Sequence, residues 1–195
     1  GTYDYFTYPE WRRYLRGTHA HNSVVVDGVD QSVIAGAFMW GHRARARCVS
    51  WSPAPEGGAF EGEHDGYARL PDPVIQRRRV SLDGTTGVIQ ITDTVVAKAP
   101  HGIDCRFHFA ETCDVSVAAA HEVRIVTPSS VLRMTTDPRL TMTLVAGVEG
   151  PDGGWVSRGY HRRAPAAMVI AKGMVDGAAT IVTSIHVEPA KSIGR

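Results

Sequence analysis

Long apolar runs are missing from this sequence. No stretch approaches the roughly 20 apolar residues that a bilayer-spanning helix needs. An excess of one charge is missing too: 21 basic residues face 20 acidic ones, for a formal net charge of +1. Net charge therefore gives no reason to expect a nucleic-acid partner. Cysteine is scarce, with three residues, Cys48, Cys105 and Cys113, and no CxxC pair. An odd number without that spacing argues against a zinc ribbon. A Cys105–Cys113 disulfide stays open, and buried free thiols acting as small hydrophobes are the favoured expectation. No repeat of 20–50 residues is visible, which argues against a propeller or solenoid. Nucleophile elbow, P-loop and Rossmann glycine patterns are lacking, and no carboxylate pair stands out as a glycosidase dyad. The opening residues, GTYDYFTYPEW, are aromatic and polar, unlike the apolar core of a signal peptide; a mature or truncated chain would open the same way.

What is present is alternation. At 195 residues and 43% hydrophobic content, the chain can bury one sizeable core. HRARARCVSW places Arg43, Arg45, Arg47, Val49 and Trp51 on one side of a predicted strand. VIQRRRVSL and GVIQITDTVV, joined through DGTTG, predict a hairpin. IDCRFHFA places Ile103, Cys105, Phe107 and Phe109 on one face. EVRIVT, VLRMTT, LTMTLVAG, AAMVIAK and AATIVTSIHVE are further short strands, separated by Gly, Pro and Asp. The fair helix candidate is Pro9 to Leu15. These patterns predict an all-β, antiparallel β-sandwich of roughly a dozen strands with at most one or two short helices. SPAPEGG and EGPDGG read as loops, not linkers, so one domain is expected over residues 1–190, with a tail at 191–195. The aromatic crowding of Tyr3, Tyr5, Phe6, Tyr8, Trp11 and Tyr14 suggests a segment that packs against something, including a part of the protein outside this chain.

Two clusters carry chemistry. His19 and His21 stand two apart in RGTHAHNSVVVDG. On a strand, that spacing points both imidazoles to one face, as a cleft or a metal site would use them. Zinc needs a third ligand, with His64 in EGEHDGY as the first candidate and His42 and Asp27 behind it. His64 is expected at the start of a turn, exposed. The alternative is two unrelated polar residues near a strand start. A cupin is disfavoured, because no Glu follows the HxH at the required distance. The second cluster is arginine. Arg43, Arg45 and Arg47, with Arg77, Arg78 and Arg79 on another strand, either guide an anionic ligand with their guanidinium forks or form a ladder paired with Glu61 and Glu63 on a solvated sheet face.

Several stretches, in order, resemble the heparinase II/III-like family of polysaccharide lyases: YPEWRRYLRGTHAHNSVVVDGVDQS, EGEHDGYARLPDPVIQRRRV, CRFHFA and GWVSRGYHRRAPAAMVIAKG. The similarity runs from about Thr2 to Glu188 and matches the family's C-terminal β-sandwich. The resemblance implies an enzyme of two parts. An N-terminal helical toroid, absent from this chain, would carry the acid–base Tyr and the Asn or His that neutralises the uronate carboxylate. The sandwich would supply an HxH, with His19 leaning into the cleft and His21 binding a metal, usually zinc, completed by His64. His21 and His64 are thus expected close together. Where zinc-binding relatives carry an Asp ligand, this chain has AGAFMWGHRARAR, with no acid. Zinc is therefore expected to be weak or absent; Asp27 and Asp65 are possible substitutes out of position.

Two functions follow. In the first, the chain is the sandwich of a lyase acting by β-elimination on a uronate-containing anionic polysaccharide, inactive alone. A base takes the C5 proton, the carboxylate is neutralised, and an acid protonates the leaving oxygen. His19 would be an auxiliary cleft-lining group, and Arg43 and Arg45 would bind substrate. The expected partners are the polysaccharide and the toroid, with neither nucleic acid nor a membrane span, in the periplasm or outside the cell. In the second, the chain is a non-catalytic carbohydrate-binding or structural module.

Overall fold

The computed structural model describes residues 2–149 and 153–188. The expected tail, 191–195, and part of the EGPDGG loop lie outside the described residues. One α-helix, α1, spans Pro9–Arg16, and a 3₁₀ turn spans Thr18–Ala20. The strands begin with β1 (Val24–Val26), β2 (Val33–Ile34), β3 (Trp40–His42), β4 (Ala46–Ala54) and β5 (Gly57–Tyr67). There follow β6 (Val74–Asp83), β7 (Val88–Val96), β8 (Pro100–His108), β9 (Asp114–Ala119) and β10 (Glu122–Val126). The last are β11 (Val131–Thr135), β12 (Thr141–Val145), β13 (Trp155–Gly159), β14 (Arg162–Pro165), β15 (Met168–Asp176) and β16 (Ala179–Glu188).

Two sheets hold the dozen strands anticipated from the alternation. One has four strands, β1-β8-β15-β12; the other has eight, β4-β5-β6-β7-β16-β11-β10-β9. Two short hairpins, β2-β3 and β13-β14, stand outside them and raise the strand count above the expectation. The paired strands run antiparallel throughout. The inner faces meet in one core. Val24, Val26, Ile103, Cys105, Phe107, Val169 and Ala171 come from the smaller sheet, and Val74, Val95, Val123, Ile125, Met134 and Ile181 from the larger. Alternate residues of each strand supply this face, as a period of two requires. The buried Tyr67 hydroxyl ties the sheets by donating to the Val24 carbonyl, 2.9 Å away.

Part of the other face of the smaller sheet is also closed to water. In register, Val25 lies beside Asp104, Arg106 beside Ile170 and His108 beside Met168; Val25, Arg106, Ile170 and Met168 are all buried. The N-terminal residues, α1 and the β13-β14 hairpin belong to neither of these sheets and pack on one another. Arg163 of β14 lies over the rings of Trp11 (3.5 Å) and Trp155 (4.7 Å), and the His161 N–H donates to the Tyr3 carbonyl at 2.7 Å. The aromatic opening thus packs, in part, against a hairpin of its own chain.

A polar clip fastens one end of the sandwich. His101, 5% exposed, sits with Nδ1 2.7 Å from Asp27 and Nε2 3.0 Å from Asp72. Asp27 occupies the turn after β1 with φ of 51°, followed by Gly28 at 70°, a left-handed pair of the kind Asp-Gly supplies at low steric cost. Asp72 also accepts the N–H groups of Lys98 and Ala99. The clip therefore joins three separate segments. The cysteines are free thiols; Cys105 is buried as anticipated, whereas Cys48 is exposed.

Candidate functional site

The His19–His21 segment is not the start of a strand. Thr18 to Ala20 make a 3₁₀ turn, and β1 begins at Val24. The cause is non-local. Asp30 accepts the Thr18 N–H at 2.6 Å, and the Thr18 hydroxyl accepts the Gln31 N–H at 2.8 Å. These bonds fold the segment onto the turn after β1 and break the same-face geometry that alternation predicted. His19 faces Asp30, with Nδ1 3.6 Å from the carboxylate. His21 donates from Nδ1 to the Gly17 carbonyl at 2.8 Å, which leaves Nε2 with its lone pair. It lines a small cavity of about 160 Å³ with Arg16, Thr18, Gln31 and Trp40.

His64 is placed differently. It lies within β5 and not at the start of an exposed turn, and it is partly buried. It lines a separate groove of about 350 Å³ with Cys48, Phe60, Gln76, Arg78 and Val80. Its Nδ1 accepts the Gly66 N–H at 3.2 Å, so the ring proton sits on Nε2, which is buried without a hydrogen-bond partner. Burial, with the nearby Arg78 charge, holds this imidazole below the ordinary histidine range. A metal-binding histidine normally donates from its other nitrogen. His21 meets that condition; His64, as placed, does not. Among the described residues no group of three or more His, Cys, Asp or Glu is placed to hold a metal ion. The substitutes are engaged as well: Asp27 in the His101 clip, and Asp65 by the Arg45 N–H at 2.7 Å. The residues present do not fit the zinc site that the resemblance implied.

Beneath the histidine segment runs a buried polar network that sequence reasoning left unassigned. Arg78 makes a two-pronged pair with Asp93, at 2.7 and 2.8 Å, and donates to the Asn22 carbonyl at 2.7 Å. Gln76 donates to the same Asp93, which is 1% exposed. The Asn22 side chain accepts the His108 N–H at 2.6 Å, and His108 Nε2 donates to the His19 carbonyl at 3.1 Å. Burial drives the His108 pKa down to about 4, with the nearby His21 adding to the effect. His108 is thus a neutral prop under the segment. Its sequence signal was the alternation of CRFHFA, which puts it on the face opposite Phe107.

The arginine row divides in two. Arg47 does lie in β4 and pairs with Glu63 at 2.6 Å, while Arg77 reaches Glu63 and Glu61 and Arg79 reaches Glu61. That is the paired ladder. Arg43 and Arg45 precede β4 and are not on its face, because the Asp65 carboxylate and the Ser32 hydroxyl capture the N–H groups of Arg45 and Ala44. Both instead line an open cleft of about 660 Å³ with Phe38, Trp40, His42 and Asp65. Trp40 is shared between this cleft and the His21 cavity.

The sequence profile of the heparinase II/III-like C-terminal family matches residues 1–184. No curated protein is matched by the sequence. Solved structures are similar in fold. A heparinase III with methylated lysines is 18% identical, with a TM-score of 0.74 over 96% of this chain and 27% of its own. The heparan sulfate lyase HepC from Pedobacter heparinus is 13% identical, with a TM-score of 0.76 over 98% of this chain and 28% of its own. A further heparinase III is 14% identical, with a TM-score of 0.73 over 98% of this chain and 28% of its own. The chain therefore spans just over a quarter of the length of these structures. With a family profile matched along nearly all of it, and the sandwich of two antiparallel sheets in place, the chain belongs to the heparinase II/III-like C-terminal family.

Proposed function

We propose that this chain is the C-terminal sandwich of a lyase that cleaves a uronate-containing anionic polysaccharide by β-elimination, and that its share of the work is to hold the substrate. The observation that carries this reading is the cleft in which Arg43, Arg45 and His42 stand beside Trp40 and Phe38. Neither arginine has an ion pair among the described residues. The cleft's carboxylate, Asp65, already accepts the Arg45 backbone N–H. Guanidinium forks beside an exposed indole suit a sugar ring that carries a carboxylate or sulfate. His19 serves as an auxiliary group: its partner Asp30 precedes Gln31, which lines the cavity next to the cleft. The acid–base groups are assigned to an N-terminal toroid, and the reaction to a periplasmic or extracellular setting, by family membership.

Titration of the chain with a uronate oligosaccharide tests the reading. Replacing Arg43 and Arg45 together by Gln is expected to weaken binding about tenfold, the effect of losing one or two charge-assisted hydrogen bonds. The chain alone is expected to release no unsaturated product, followed by absorbance. Unchanged binding in the double variant, or turnover by the chain, overturns it.

A further inference from the structure

Most arginines on the sheet faces have a carboxylate partner: Arg47, Arg77, Arg78, Arg79 and Arg158 each meet an Asp or Glu. Arg12 and Arg16, one helical turn apart on α1, do not. No acid pairs with either among the described residues. They converge instead on the loop between β2 and β3. Arg12 donates from Nε (3.1 Å) and Nη2 (3.0 Å) to the Ala37 carbonyl. Arg16 donates from Nη1 to the Gly36 (2.6 Å) and Ala37 (2.7 Å) carbonyls. Aromatic faces hold both in place: Arg12 lies over Tyr5 (5.1 Å) and Phe38 (5.6 Å), and Arg16 over Trp40 (4.2 Å).

Two guanidinium groups that share one carbonyl oxygen repel each other. Burial, with the Arg12 charge, pushes the Arg16 pKa below its ordinary value. A clamp for the loop would need one of them. Each guanidinium has five N–H donors, and Arg12 Nη1 and Arg16 Nε and Nη2 have no acceptor among the described residues. Both arginines line a recess of about 420 Å³ with Arg13, Glu10, Tyr5 and Ile34. Aromatic packing fixes them in advance, so an arriving anion orders little side chain, which favours binding.

We propose that Arg12 and Arg16 form a second anionic subsite, taking a sulfate or carboxylate of the same polysaccharide that occupies the Arg43–Arg45 cleft. The proposal rests on the polysaccharide reading above. Phe38 and Trp40 stand between the two places: Arg12 and Arg16 stack on their rings, and both rings line the Arg43–Arg45 cleft. One oligosaccharide can thus pass over the loop from one subsite to the other.

The test is calorimetric titration of the 195-residue chain with two hexasaccharides, one a sulfated glucosamine–uronate and one an unsulfated uronate. Arg12→Gln/Arg16→Gln is expected to weaken at least one ligand about tenfold, and Arg12→Lys/Arg16→Lys to restore part of that loss, since the charge remains while the fork and its stacking on the rings are lost. A loss confined to the sulfated ligand assigns the subsite to sulfate; a loss on both assigns it to carboxylate. Wild-type affinity in the Gln pair overturns the subsite and leaves the Arg43–Arg45 reading standing. Equal losses in the Gln and Lys pairs, with a lowered Tm, reduce the arginines to a loop clamp and overturn it as well. No binding by the wild-type chain overturns both proposals.

Discussion

Two histidines set opposite pH dependences. His101 is held between Asp27 and Asp72. Burial alone would lower its pKa, but the two carboxylates outweigh burial and raise it. The folded protein therefore keeps this proton longer than the unfolded chain. The resulting stability is complete below about pH 6.5 and is lost as pH rises through the folded pKa. His108 behaves in reverse. With its pKa near 4, it contributes stability above about pH 6.5 that is lost as pH falls toward 4. Melting curves across pH should show His101→Gln flattening the alkaline limb and His108→Gln flattening the acid limb. A shared response would show that neither assignment is right. Zinc is a separate matter at this scale. His21 is prepared to bind and His64 is turned the wrong way, so elemental analysis of the purified chain should find well under one zinc per molecule. A chelator should leave the Tm within about 1 °C, because a structural site contributes folding energy outright and this one is incomplete. One tightly held zinc with a steep fall in Tm would mean that the His64 ring turns over to bind.

The elements show what a sequence reveals and what it hides. Helix α1 was legible because its signals are local: Pro at the first turn, Glu10 near the start, Arg13 and Arg16 near the end, all matching the dipole. The β6-β7 hairpin was legible for the same reason, through its Asp-Gly turn. The segments around His19 and Arg43 were misread as strands because their alternation is real but overruled from a distance. Asp30, eleven residues from His19, and Asp65, twenty residues from Arg45, capture backbone N–H groups that a ladder would otherwise use. Composition gives no view of such a capture. The Arg78–Asp93 pair also escaped notice, since RRRV reads as one charged run until register assigns alternate arginines to opposite faces. The pair anchors the histidine segment through the Asn22 carbonyl. Arg78→Met leaves the Asp93 carboxylate buried and uncompensated, an arrangement that costs about 3–5 kcal/mol. Hydrogen exchange should also quicken at His108, whose amide is held by Asn22. A destabilised variant with unchanged protection there would separate the pair from the segment.

At the scale of the whole molecule the sheets are unequal, eight strands against four. The fold class was readable because short alternating strands leave few architectures; the inequality was not, because nothing local says where a second sheet stops. Its consequence is that the inner side of β4 and β5 carries a groove that the smaller sheet does not fill, with Phe60 and His64 along it and Cys48 exposed at its edge. The other two thiols are protected, Cys105 fully and Cys113 partly, and burial pushes the Cys105 thiol well above its ordinary range. The molecule thus comes with a built-in attachment point for a probe. A maleimide dye added at neutral pH should label Cys48 before the other two, as a peptide map would show, and should do so without unfolding the chain. Whatever settles in the groove, whether oligosaccharide or neighbouring domain, should slow that reaction and shift the dye's emission, turning an overhang of sheet into an optical reporter of its own occupancy.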